Sequence, residues 1–87
     1  MNPATAQTMY NIAIGERAGT AVTSGIRNNF IGGLAGFSTT SGSNNVAIGL
    51  SALESNTVGS KSVAVGENSL GLQNPGTATD MYNVAIG

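Results

Sequence analysis

The word "NVAIG" stands at residues 45–49 and again at 83–87, with "NIAIG" at 11–15 and "SVAVG" at 62–66. Each word runs polar, β-branched, Ala, β-branched, Gly. That is the period of 2 of a strand, with the two β-branched positions on one face and Ala on the other with the leading polar residue. With the leading residue as offset 0, the words begin at Asn11, Asn28, Asn45, Ser62 and Asn83, at spacings of 17, 17, 17 and 21. Glycine keeps the same phase: offset 4 is Gly15, Gly32, Gly49, Gly66 and Gly87, and offset 14 is Gly25, Gly42, Gly59 and Gly76. Nine of the 13 glycines therefore mark two recurring corners, where the backbone needs φ > 0 or a neighbouring backbone comes close. Offset 7 is always small: Ala18, Ala35, Ala52, Ser69.

A unit of 17 residues with two corners is too small to bury its own apolar face, so it must stack on copies of itself. The chain is thus predicted to be all-β: a single parallel β-solenoid over residues 1–87, about 17 residues per coil, the coils stacked at roughly 4.8 Å. Helix is disfavoured throughout. Two coils depart from the pattern. The second has Asn29 and Phe30 where the others carry a β-branched residue and Ala, which suggests a slip of register or a local bulge that lets Phe30 reach an apolar side. The fourth carries four extra residues between Gly76 and Asn83, in "TATDMY" at 77–82, expected to project as a loop. A longer period overlies the coils. "NPATAQTMYNIAIG" at 2–15 matches "NPGTATDMYNVAIG" at 74–87 at 10 of 14 positions, 72 residues on, so the chain reads as one four-coil superrepeat and the start of the next, a segment of a longer fibre.

Composition narrows the function. Arg17, Arg27 and Lys61 are the only basic residues in a chain of net charge −1, too few for a phosphate-binding surface, so nucleic acid is not an expected partner. No apolar run approaches the roughly 18 to 20 residues that cross a bilayer, and the amino end has no basic region followed by an apolar core, so neither membrane insertion nor a signal peptide is read. Val, Ile, Leu and Phe supply 19 of 87 residues, a thin core that points to stability from repetition and from association between chains.

The segment "NNVAIGLSALESNTVGSKSVAVGENSL" at 44–70 resembles the head repeats of trimeric autotransporter adhesins (YadA-like heads), whose coils carry the same N/S-V-A-I/V-G core. Similar repeats occur in phage tail fibres. The resemblance runs from Asn11 to Gly87, the second coil matching only through Asn28, Ile31 and Gly32. It implies a left-handed parallel β-roll that forms a homotrimer, with the N/S-V-A-I/V-G strand lining the inside of the assembly. The Ala column (Ala13, Ala47, Ala64, Ala85) is the position expected to permit close approach of chains.

Catalysis has little to work with. His and Cys are missing, and the carboxylates are Glu16, Glu54, Glu67 and Asp80. A glycosidase pair wants two carboxylates roughly 5 to 10 Å apart. Glu16 and Glu67 share offset 5 but stand three coils apart, roughly 14 Å. "GGLAG" at 32–36 lacks the Lys and the strand-to-helix context of a phosphate loop. No enzyme activity, cofactor or metal is expected, and the recurrent Asn at offset 0 reads as a structural side-chain ladder. The function read from the sequence is a structural or adhesive segment of an extracellular or cell-surface fibre, with a host surface protein or glycan as possible partner. The alternatives are the shaft or receptor-binding segment of a phage tail fibre on a virion and an ice-binding solenoid, although no rank of Thr persists along the coils. Partner contact is expected at the excursion, through Asp80, Met81 and Tyr82, and at its counterpart, Met9 and Tyr10.

Overall fold

The computed structural model describes residues 10–77 and 79–87. Its strands are β1 (Ile12–Ile14), β2 (Asn29–Ile31), β3 (Val46–Ile48), β4 (Gly59–Ser60), β5 (Val63–Val65), β6 (Thr79–Asp80) and β7 (Val84–Ile86). Five of them form one sheet in the order β1-β2-β3-β5-β7, every neighbouring pair parallel, and β4 pairs with β6 in a second. The chain is a β-solenoid whose successive turns lie about 17 residues apart.

The register is uniform. Ile14 pairs with Ile31, Ile31 with Ile48, Ile48 with Val65 and Val65 with Ile86. The expected slip at the second coil does not occur. Phe30 stands in the Ala column, opposite Ala13 and Ala47, and is 1% exposed. Space for its ring comes from offset 8, which reads Gly19, Gly36, Leu53 and Leu70. A Cβ on Gly36 would lie 2.6 Å from the Phe30 ring and one on Gly19 3.0 Å from it. Where offset 2 is Ala, as in the third and fourth coils, offset 8 supplies the volume instead: Leu53 is fully buried and Leu70 packs on the core cluster. One large and one small residue thus trade places across the interior at constant packing, as close-packed interiors require.

The Ala column therefore faces inward. Ala47 and Ala64 are fully buried within the single chain, stacked near the offset-7 column of Ala18, Ala35 and Ala52. This corrects the expectation that Ala mediates approach of other chains: the outward face of the strands is the β-branched one.

After each strand the chain turns at offset 4. Gly49 has φ 126°, and a Cβ there would stand 2.8 Å from the backbone of Gly66 one coil on, so both the dihedral and the stacking demand Gly. A tight turn follows, with the Ala52 amide donating to the Gly49 carbonyl at 3.2 Å, repeated at Ala18, Ala35 and Ser69. Other amides of the turn bond to the neighbouring coil, as in Gly36 to Ala52 (2.9 Å) and Leu53 to Ser69 (3.0 Å). Non-glycine residues also take left-handed dihedrals, in three columns: offset 6 (Arg17, Leu34, Ser51, Asn68), offset 8 (Leu53, Leu70), and the residue before each strand word (Tyr10, Arg27, Asn44, Lys61, Tyr82).

The Asn ladder is present and runs through backbone groups. Asn28 Nδ2 donates to the Gly42 carbonyl (2.9 Å), and Asn28 Oδ1 accepts the Asn45 amide (3.0 Å). Asn45 repeats the pattern with Gly59 and Ser62. Both asparagines are fully buried, and these bonds satisfy groups that would otherwise cost about 1–3 kcal/mol each. At Ser62 the side chain has no amide, and Gln73 takes over. Its Nε2 donates to Ser62 Oγ (3.0 Å) and Asn56 Oδ1 (3.1 Å), and its Oε1 accepts from Asn83 Nδ2 (2.7 Å).

The long coil differs from the sequence reading in where its extra residues lie. The 17-residue spacing persists to Asn74, whose side chain accepts from Thr57 Oγ1 (2.8 Å). By β6 the spacing is 20, Gly59 opposite Thr79, and at the next strand it is 21, Val63 opposite Val84. Three residues are thus inserted between Asn74 and Thr79 and a fourth between Asp80 and Val84. Gly76 does not occupy the corner of Gly25, Gly42 and Gly59: a Cβ added to it would meet nothing within 4 Å.

Candidate functional site

Two surface features stand out. The first is the outward face of the main sheet. Its side chains are β-branched because the period of 2 places offsets 1 and 3 opposite the buried Ala. Ile12, Ile14, Ile31, Ile48, Val84 and Ile86 are all exposed, with Ile86 at 77%, and Leu50 at offset 5 widens the stripe. Asn29 is its one polar member. Among the described residues nothing covers this face, and contiguous exposed apolar surface of this kind marks interaction sites in soluble proteins.

The second feature is the corner where the long coil rejoins the sheet. Asp80 lies in β6, held opposite Ser60 of β4, so it belongs to a paired strand and not to a free loop. Its carboxylate accepts from Lys61 Nζ at 3.0 Å. The same ammonium donates to the Tyr82 hydroxyl at 3.3 Å and sits 5.2 Å from the centre of the Tyr82 ring, a cation–π contact. The Asp80 carboxylate first, then the Tyr82 hydroxyl, hold the Lys61 ammonium above its ordinary pKa range. Lys61 and Tyr82 meet because both precede a strand word and so stack on adjacent coils, each in the left-handed region (φ 62° and 52°) that turns the side chain out of the rod.

The five contact residues read from the sequence fall into different situations. Asp80 and Tyr82 are exposed and joined through Lys61, which the sequence reading did not single out. Met81 is partly buried, its Cγ lying over Gly59 beside Pro75, and its amide donates to the Ser60 carbonyl at 2.8 Å. Tyr10 is 69% exposed, at the same corner four coils from Tyr82. Met9 lies outside the described residues.

Comparison of the chain with family models, with curated proteins and with solved structures finds no match. The arrangement must therefore be read on its own chemistry. Glu16 and Glu67 are both exposed, on the corner after the strand. Glu54 borders a surface cavity of about 420 Å³ with Ser55, Asn68, Gly71 and Leu72, where it is the one ionisable side chain. A lone carboxylate without a second acid or base has no partner for acid–base hydrolysis.

Proposed function

We propose that the chain is a non-enzymatic segment of an extracellular surface fibre, a left-handed β-roll that assembles as a homotrimer and displays or spaces a binding surface. The observation that carries this reading is the stripe of exposed Ile and Val along the outward sheet face. A monomer would leave that stripe in water. Three rods turned toward a common axis would bury it, gaining roughly 25 cal/mol per Å² of apolar surface removed from solvent. The buried Asn ladder and the inter-coil backbone bonds make each rod stiff and extendable by further coils, which suits a spacer. The handedness and the threefold symmetry follow from the resemblance to adhesin heads, and the apolar stripe supplies the physical reason for association. Partner recognition falls to the exposed corner of Asp80 and Tyr82, repeated around the trimer so that weak contacts add.

Light scattering at micromolar concentration tests the assembly. The expected mass is that of three chains, and Ile48→Lys, which puts a charge in the stripe without touching the core, is expected to yield monomers with an unchanged β circular dichroism spectrum. A monomeric parent overturns the reading.

A further inference from the structure

The apolar stripe is flanked by charges of opposite sign. On the corner before the strands stand Tyr10, Arg27, Asn44, Lys61 and Tyr82, and on the corner after them Glu16, Gly33, Leu50 and Glu67. Two of the three cations thus occupy the leading rim, where Lys61 is paired with Asp80, and two of the four carboxylates the trailing rim, where Arg17 follows Glu16. Arg27 and Lys61 take left-handed dihedrals with the rest of their column and project into solvent.

Symmetry brings the two rims together. Three parallel rods related by a threefold axis, each turning its stripe inward, meet head to tail: the end of one chain's strand abuts the start of the next. Pure rotation keeps equal coils at equal height. Lys61 and Glu67 flank the same strand, β5, and so stand at the same height on opposite rims. Arg27 stands level with Gly33 and one coil, about 4.8 Å, from the height of Glu16, so it meets no carboxylate at its own level.

We propose that the trimer closes through these rims, the Lys61 ammonium meeting Glu67 of the partner subunit, and that this pairing sets the register between subunits. Lys61 has three donors and Asp80 and Tyr82 use two of them, so one remains for the partner's carboxylate. A shift by one coil would bring Lys61 opposite Leu50 or beyond Glu67 and lose the pair, which makes the charges a device of specificity more than of affinity. The inference rests on the trimeric reading above.

The test exploits the absence of Cys from the chain. Within one chain Lys61 and Glu67 are six residues of extended backbone apart, on the order of 20 Å, beyond the reach of a disulfide. In the double variant Lys61→Cys/Glu67→Cys, mild oxidation is expected to give covalent trimers on a non-reducing gel, while Lys61→Cys/Glu16→Cys, whose sites lie three coils apart in height, is expected to give none. In an Asp80→Asn background, Lys61→Glu or Glu67→Lys alone should weaken trimerisation roughly ten-fold, three exposed pairs being lost at once, and the charge-swapped Lys61→Glu/Glu67→Lys should restore it. A trimeric parent whose cysteine variant gives only monomers or dimers, or whose charge swap does not restore assembly, overturns the rim pairing and leaves the trimer standing. A monomeric parent overturns both.

Discussion

Gln73 donates a hydrogen bond to Ser62 Oγ at 3.0 Å, in the interior where one coil earlier Asn45 bonds to Gly59 with its own amide. The substitution of Ser for Asn at the head of the fourth strand word is thereby matched by a longer amide arriving from eleven residues downstream. Gln73→Ala is expected to strip partners from Asn56 Oδ1, Ser62 Oγ and Asn83 Nδ2 together. A loss of about 1–3 kcal/mol in urea denaturation is the expected outcome, with the larger figure for the more completely desolvated groups. An unchanged midpoint would mean that water replaces the amide.

Phe30 and Gly36 should behave as one packing unit. Phe30→Ala empties the ring's site and is expected to cost about 3–5 kcal/mol. Gly36→Leu alone should be comparably harmful, since its Cβ would already lie 2.6 Å from the ring and the site has φ 59°. Together, Phe30→Ala/Gly36→Leu recreates the Ala47 and Leu53 arrangement of the next coil, where Leu53 has φ 54°. The double variant should recover much of the loss, and a denaturation double-mutant cycle reads the coupling. Additive losses would refute the exchange.

Gly49→Val places a β-branched side chain at φ 126° with its Cβ 2.8 Å from the Gly66 backbone. Strain of this kind costs about 1–3 kcal/mol before the coil stacking is counted. The melting temperature should fall by several degrees, whereas Asn44→Gly, at a φ of 59°, should be near neutral or stabilising.

Lys61 should titrate above the ordinary lysine range, and Asp80→Asn should bring it back toward that range, as read from its Nζ resonances by NMR. The folded state holds this proton to higher pH than the unfolded chain does. The contribution of the cluster is therefore present in full at neutral pH and is lost as the pH rises through the folded-state value. If Asp80→Asn leaves the titration in place, the 3.0 Å pair does not persist in solution.

Met81 and Tyr82 are expected to separate by role. Met81→Ser uncovers Gly59 and should lower the melting temperature, while Tyr82→Ser removes an exposed ring and should leave melting nearly unchanged but weaken adhesion of a fibre that carries it. Adhesion that depends on Met81 alone would place recognition elsewhere.

The strands, their common phase and the glycine corner at offset 4 were legible because each follows from a single residue and its own backbone: alternation sets the face, and a recurring Gly sets the dihedral. The rest depends on neighbours one coil away. Phe30 reads as a fault until Gly36 and Gly19 are seen beside it, and counting alone cannot show that the insertion begins before Gly76. The left-handed column of Tyr10, Arg27, Asn44, Lys61 and Tyr82 shares no side-chain chemistry; the backbone of the stack imposes it, so no local propensity announces it. Among the residues read as partner contacts, Asp80 and Tyr82 are joined by Lys61, which the sequence reading missed because it lies 21 residues from Tyr82 and one coil below.

The exchange between Phe30 and the glycines Gly36 and Gly19 bears on how such a chain can lengthen. A copied first coil would leave its Gly19 facing an Ala in place of the Phe30 ring, and a copied fourth coil would need both Ser62 and Gln73 to close its polar interior. Duplication at those coils avoids mismatch where each residue and its complement are inherited together. Copying four coils at once keeps every such pair, and 72 residues is the distance at which the sequence repeats.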